Sequence, residues 1–152
     1  MKKVKPQNQS FEIRGRQGYL AQPMMKALGV KIEKIEAGEV WLSMPFHKRF
    51  TQHHGYLHAG AYTSMMDSAS GFAAFTLMAE DEEVVTTDFK NSFLRPATGE
   101  RFLAKARVIK PGKTLYFTQC DCFALEGEKE KIIAQMTATM MAVKYEGSAA
   151  DQ

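Results

Sequence analysis

The stretch AGAYTSMMDSASGFAAFTLM, residues 59–78, decides how this chain must fold. Tyr62, Met65, Ala69, Phe72 and Thr76 recur at steps of three or four, the spacing of one face of an α-helix. A second stripe, Gly60, Ser64, Asp67, Gly71 and Ala74, follows similar steps and consists of small residues around one carboxylate. The run is long enough to raise the question of a membrane span. Asp67 and the Ser and Gly residues interrupt it, however, and it contains no clean stretch of about 18 apolar residues. It reads as a buried helix over Ala59–Met78. Small residues on a helix face let another backbone approach, so Asp67 sits in a tight place, and acidic residues are seldom buried without a partner or a task.

The flanking segments predict what wraps this helix. Val30 and Ile32 alternate with charged residues, Ala37-Gly38-Glu39 makes a turn, and Val40, Leu42 and Met44 share a face of the return strand, which Pro45 limits. After the helix, Val84–Leu94 is strand-like up to Pro96. Phe102, Ala104, Ala106 and Val108 then alternate with Arg101, Lys105 and Arg107. Pro111-Gly112 turns the chain into a strand over Thr114–Ala124, and Glu126-Gly127-Glu128 turns it again. Ile132, Ala134, Met136, Ala138, Met140 and Ala142 line one face of a last strand. A helix apolar nearly all round and long strands joined by short turns predict an α+β domain, a curved antiparallel sheet rolled around one helix.

Gln17–Leu28 predicts a short helix ended by Gly29, with Leu20, Met24 and Leu28 at helical spacing. Residues 1–16 read as a flexible N-terminal segment, 17–145 as the single domain, and 146–152 as a flexible tail. A chain of 152 residues with 45% hydrophobic and 24% charged residues suits one conventional core. The net charge of +3 is too small to argue for nucleic acid but suits a small anionic ligand. The basic start, Met1–Pro6, lacks an apolar stretch of the export-signal kind, so the expected location is cytoplasmic. Cys120 and Cys122 are two apart, on one face of a strand, and read as reduced core thiols.

The segment Gln52-His53-His54-Gly55-Tyr56-Leu57-His58-Ala59-Gly60 ends where the helix begins, with Asp67 two turns inside it. Helix-terminal N–H groups of Ala59 and Gly60 suit an oxyanion, and Gly60 allows a carbonyl to approach. Asp67 suits deprotonation of water or direct attack, and the Gln52 amide suits positioning a water or a thioester carbonyl. The competing readings are plainer. Asp67 could be a structural carboxylate. His53, His54 and His58 could hold a metal, although Gly55 argues against a helix there and no Cys or acidic ligand lies close in sequence. Ser70-Gly71 lacks the glycine a serine-hydrolase elbow needs two residues before the serine, and no Gly-rich nucleotide loop is present.

The run from Gln52 to Asp67 resembles the signature of the PaaI-type hotdog-fold thioesterases. In that family an Asn or Gln is followed six residues later by His-Gly-Gly, and nine residues after the His by a helical Asp or Glu; Gln52, His58 and Asp67 stand at those separations. Thr87–Pro96 and Pro111–Leu115 also resemble family segments, and the likeness spans roughly residues 28–143. The resemblance implies a hotdog fold, hydrolysis of an acyl-CoA thioester and no metal or redox cofactor. It implies a homodimer or homotetramer with sites between subunits, and no nucleic-acid or membrane partner. By the same resemblance Asp67 is general base or nucleophile, and the amide of Ala59, which replaces the family's first glycine, supplies the oxyanion hole. Gln52 orients the water or the carbonyl, His58 holds the loop or touches the thioester, and Thr86 supplies a supporting hydroxyl. Lys90, Arg95, Arg107 and Lys113 are candidates for the CoA phosphates, although solvated strands carry such charges routinely. Phe72, Phe75, Tyr56, Met65 and Met66 are candidate pocket-lining residues. Two rival readings are an acyl-thioester dehydratase or hydratase with His58 as base, and a non-catalytic acyl-CoA binder.

Overall fold

The computed structural model describes residues 4–145, so the tail expected over 146–152 lies outside the described residues. In chain order the elements are α1 (Phe11–Leu20), α2 (Pro23–Leu28), β1 (Lys31–Glu36), β2 (Glu39–Pro45), α3 (Ala59–Phe75), β3 (Glu82–Phe93), β4 (Arg101–Pro111), β5 (Leu115–Glu126) and β6 (Lys129–Lys144). The strands form one sheet in the order β1-β2-β4-β5-β6-β3, and every neighbouring pair is antiparallel. Helix α3 packs on one face against β2, β3, β4, β5 and β6. This is the hotdog arrangement expected from the sequence.

The alternation in β4 and β6 explains how the sheet holds the helix. Phe102, Ala104, Ala106, Ala134, Met136 and Met140 are fully buried, and they face Met65, Met66, Ala69, Ala73 and Ala74 of α3 in one core. Each large side chain in such a core contributes about 1.5–3 kcal/mol relative to exposure. Cys120 and Cys122 join this core as free thiols, and burial pushes both well above the ordinary thiol range. No helix among the described residues is long and apolar enough to cross a membrane.

Helix α3 ends at Phe75, short of the expected Met78. The reason is Thr76: its Oγ1 donates to the Ala73 carbonyl (2.7 Å) and accepts the Gly38 N–H (2.7 Å). That one hydroxyl closes the helix and ties it to the β1–β2 turn.

The N-terminal region departs further from expectation. Helicity begins at Phe11, inside the segment read as flexible, and Pro23 divides the expected single helix. Gln22 is extended (φ −84°, ψ 106°), as the residue before a proline prefers. Leu20 and Met24 are consequently exposed (74% and 56%), while Tyr19, Met25 and Leu28 turn inward. Helix α1 docks through Gly15, where a Cβ would come within 2.7 Å of Ile35 Cδ1.

Candidate active site

At the start of α3, His58 is the N-cap. Its Nδ1 accepts the Gly60 N–H at 2.8 Å. A ring nitrogen that accepts carries no proton, so the neutral His58 is protonated on Nε2. A Cβ on residue 60 would meet His58 Nδ1 at 3.1 Å, which explains the glycine. The Gly60 amide is therefore occupied, contrary to the expectation that it faces a ligand. The Ala59 N–H has no hydrogen-bond partner among the described residues. Gln52 closes the preceding loop: its N–H donates to the Tyr56 carbonyl (2.9 Å), and its Oε1 accepts the His54 N–H. His53 and His54 are exposed with ring centroids 4.0 Å apart, and no metal-binding group of three or more His, Cys, Asp or Glu side chains occurs among the described residues.

Asp67 lies eight residues into the helix, about 12 Å along its axis from Ala59 at 1.5 Å per residue. One chain therefore does not bring the carboxylate and the free amide to a single carbonyl. Asp67 faces β3 instead, where Thr86 Oγ1 donates to its Oδ1 at 2.8 Å. Burial raises its pKa above the ordinary carboxylate range, and the Thr86 bond offsets part of that rise. Strand β3 bulges here: Thr86 pairs with Met140 and Asp88 with Thr139, leaving Thr87 as the extra residue. Beyond the bulge, Asn91 Nδ2 donates to Thr63 Oγ1 (2.8 Å) and the Phe93 ring lies 5.8 Å from that of Tyr62.

The groove between α3 and β3 thus runs past Asp67, with a cavity at each end. Near Ala59 a cavity of about 470 Å³ is lined by Gln52, Tyr56, Ala59, Tyr62, Phe93 and Arg95 among others. Burial pushes the Tyr62 hydroxyl up to about 12, so it stays neutral. Beyond Asp67 a cavity of about 320 Å³ lies between α1 and α3, against Phe72, Phe75 and Val84. Of the expected lining residues, Tyr56, Phe72 and Phe75 reach cavities, whereas Met65 and Met66 are fully buried core. Gly18, Gln22, Phe93 and Arg14 were missed, because residues so far apart in sequence leave no joint signal.

The expected phosphate-binding cations do not converge within one chain. Arg95 lies at the Ala59 end and donates to the Ile132 carbonyl at 2.8 Å. Lys113 sits in the β4–β5 turn, beside Thr114, whose carbonyl accepts the Ala142 N–H; Ala142 pairs with Val84, at the opposite end of β3. Nine residues of strand separate Val84 from Phe93, about 30 Å at 3.3 Å each. Lys90 pairs with Thr137 and borders a cavity on the outer face of the sheet. Arg107 is exposed on β4 and donates to Gln119 Oε1.

Similarity to known proteins follows this geometry. A thioesterase family protein of Silicibacter pomeroyi is 44% identical; the match covers 89% of this chain and 99% of that one, with a TM-score of 0.87. The medium/long-chain acyl-CoA thioesterase YigI of Escherichia coli is 27% identical over 156 residues, 93% of this chain and 99% of that one. A Halobacterium salinarum protein with an esterase designation is 33% identical over 97 residues, 60% of this chain; the chain spans 64% of its length. The thioesterase superfamily model matches residues 54–131, from the loop before α3 to the start of β6. With that match over half its length, on a hotdog sheet wrapped around α3, the chain belongs to the thioesterase superfamily.

Proposed function

We propose that the protein hydrolyses an acyl-CoA thioester to the free carboxylic acid and CoA, at a site completed by a second copy of the chain. The observation that carries this reading is the half-buried Asp67, held by Thr86 at the edge of the sheet, two helical turns from the Ala59 amide, which has no hydrogen-bond partner among the described residues. Antiparallel pairing of β3 with its own copy sets Asp67 of one chain opposite Ala59 of the other. The symmetry axis then passes level with Thr63, midway between them, where Asn91 ties β3 to α3. The same pairing moves Arg95 of one copy toward Lys113 of the other, which supplies two cations for CoA phosphates that one chain keeps apart. Lys90, on the outer face, and Arg107, held by Gln119, are the weaker two of the four candidates.

In this site Asp67 takes the proton of a water that attacks the thioester carbonyl. The Ala59 N–H stabilises the resulting oxyanion, and Gln52 orients the water or the carbonyl. Collapse breaks the C–S bond, and the proton on Asp67 passes to the departing CoA sulfur. A carboxylate whose pKa is raised is a better base near neutral pH, which favours this role over direct attack. His58 acts by holding the Gly60 amide and the loop. With Nδ1 accepting and Nε2 protonated it has no free lone pair, which weighs against a hydratase with His58 as base. The YigI relationship adds support for an acyl-CoA substrate.

Asp67→Ala is expected to lower turnover by about a hundredfold or more, the scale of losing a positioned acid–base group, measured by thiol release across a panel of acyl-CoAs. Normal turnover in that variant would refute the assignment. Water addition to an enoyl thioester in place of hydrolysis would favour the hydratase, and tight binding without turnover would favour a binder.

A further inference from the structure

We infer that the cleft between α1 and α3 receives the acyl tail of the substrate, a short to medium aliphatic or aryl group, and that Gly18 sets the length admitted. This rests on the proposed thioester site, because the argument starts from a carbonyl held at Asp67. In the proposed pair such a carbonyl has two arms and two cavities beside it, the cleft beyond Asp67 of its own chain and the Ala59-end cavity of the second copy. The CoA arm is long, polar and anionic, and must leave its phosphates in water. The 470 Å³ cavity at the Ala59 end has an exposed mouth of Leu94, Arg95 and Pro96, which suits that arm. The 320 Å³ cleft beyond Asp67 remains for the acyl arm.

The cleft has an apolar floor and a polar rim of Arg14, Gln17, Gln22 and Glu83, which suits a tail of limited length. It approaches Asp67 at Gln22, whose Oε1 accepts from the Oγ of the next helix residue, Ser68, at 3.2 Å. Its floor is the Phe72 and Phe75 pair, edge to face at 6.3 Å, with Val84 alongside. Phe72 follows Asp67 by five residues, about 7.5 Å along the helix axis. The far wall is Arg14, which is fixed: it donates to the carbonyls of Ala79 and Glu82 (both 3.1 Å), pairs with Glu83 (3.5 Å) and lies 4.6 Å over the Phe75 ring. A wall held by four contacts ends the cleft at a set depth. The volume sits at the low end of the ~300–1,000 Å³ typical of small-molecule pockets. Gly18 of α1 stands opposite, where a Cβ would touch the Phe72 ring at 3.4 Å, an ordinary contact. A larger side chain there grows into the cleft without displacing backbone.

The test is Gly18→Leu, with Gly18→Ala as the milder companion, assayed on straight-chain acyl-CoAs from acetyl to palmitoyl. The leucine variant should lose at least about tenfold more activity on the longest chain the wild type accepts than on acetyl-CoA, the scale of excluding a methylene or two from an apolar pocket. The alanine variant should fall between. Thermal melts should not drop, because both residues suit a helix better than glycine. An unchanged chain-length profile, or a loss equal at every length, would overturn the inference; with Asp67→Ala inactive in the same assay, the hydrolase reading would stand without it. Full turnover in Asp67→Ala would remove both.

Discussion

Strand β1 ends the sheet on one side with six residues, four of them charged: Lys31, Glu33, Lys34 and Glu36. A register shift between Ile32 and Lys34 bends it further from a flat template. Strand β3 ends the sheet on the other side with twelve residues, and exposes Val85, Phe89 and Phe93 at 41%, 46% and 54%. Short, charged and bulged edges resist pairing, whereas a long apolar edge invites it. Leu94 donates its N–H to Ile133 on β6, so by the two-residue alternation of a strand the amides of Phe93, Asn91 and Phe89 point away from the sheet. The contrast teaches that the fold guards one edge and leaves the other available, and the available edge is the one whose Thr86 holds Asp67 of α3.

Copying the β1 device onto β3 should have the largest effect. On the proposed β3 pairing, Phe89→Lys is expected to sediment as a monomer where the wild type sediments as a larger species, and to lower thioester hydrolysis by about a hundredfold, as though a catalytic group were lost. A variant that stays assembled and active would break the comparison.

Protonation of Asp67 sharpens it at the next scale. Its raised pKa means that the folded state favours the neutral carboxyl. The associated stability is fully present below the ordinary aspartate pKa and is lost as pH rises through the raised value. In the proposed mechanism the carboxylate is the working form, so activity should run the opposite way and fall on acidification at a pH above the ordinary carboxylate range. Asp67→Asn should therefore be inactive yet melt higher than wild type, with the gap widening from acid to neutral pH. An equal gap at both would contradict the linkage.

The smallest effect is expected at the guarded edge. Lys34 bridges Glu36 and Glu39 at 3.3 and 3.1 Å and lies 4.9 Å from the Trp41 ring centroid. Lys34→Ala should cost no more than about 1 kcal/mol in denaturant melts and leave assembly and turnover unchanged.

Much of this was legible in the residues, for a physical reason. Strands β4 and β6 are buried on one side, so their alternation records the sheet, and the apolar circumference of α3 records that it is wrapped. The separations of Gln52, His58 and Asp67 carried the likeness to the thioesterase family, which the match over residues 54–131 bears out. Helix α1 was not legible, because it docks through Gly15 and Tyr19 while Ile13 and Leu20 face solvent, so its apolar residues do not trace the buried face. The spacing of Leu20, Met24 and Leu28 suggested one helix, but the backbone preference before Pro23 overrode it. Within the site, His58 as a helix cap and the pairing of Asp67 with Thr86 depend on geometry that spacing does not encode.

The supernumerary Thr87 has a consequence for how the chain tolerates change in length. Upstream of it even-numbered residues of β3, Val84 and Thr86, turn toward α3; downstream the odd-numbered Asn91 and Phe93 do so. Deleting that single position would leave one unbroken alternation, with Val84, Thr86, Asn91 and Phe93 still toward α3 and Asp88, Lys90 and Ser92 still outward, whereas deleting a neighbour such as Lys90 would turn Asn91 and Phe93 away from the helix. Side-chain identity at 87 is nearly free by comparison, its hydroxyl reaching only the Thr139 carbonyl. The bulge is thus a spare position where a one-residue gap can be absorbed, while a gap elsewhere in β3 would shift the frame and be far more damaging than a substitution.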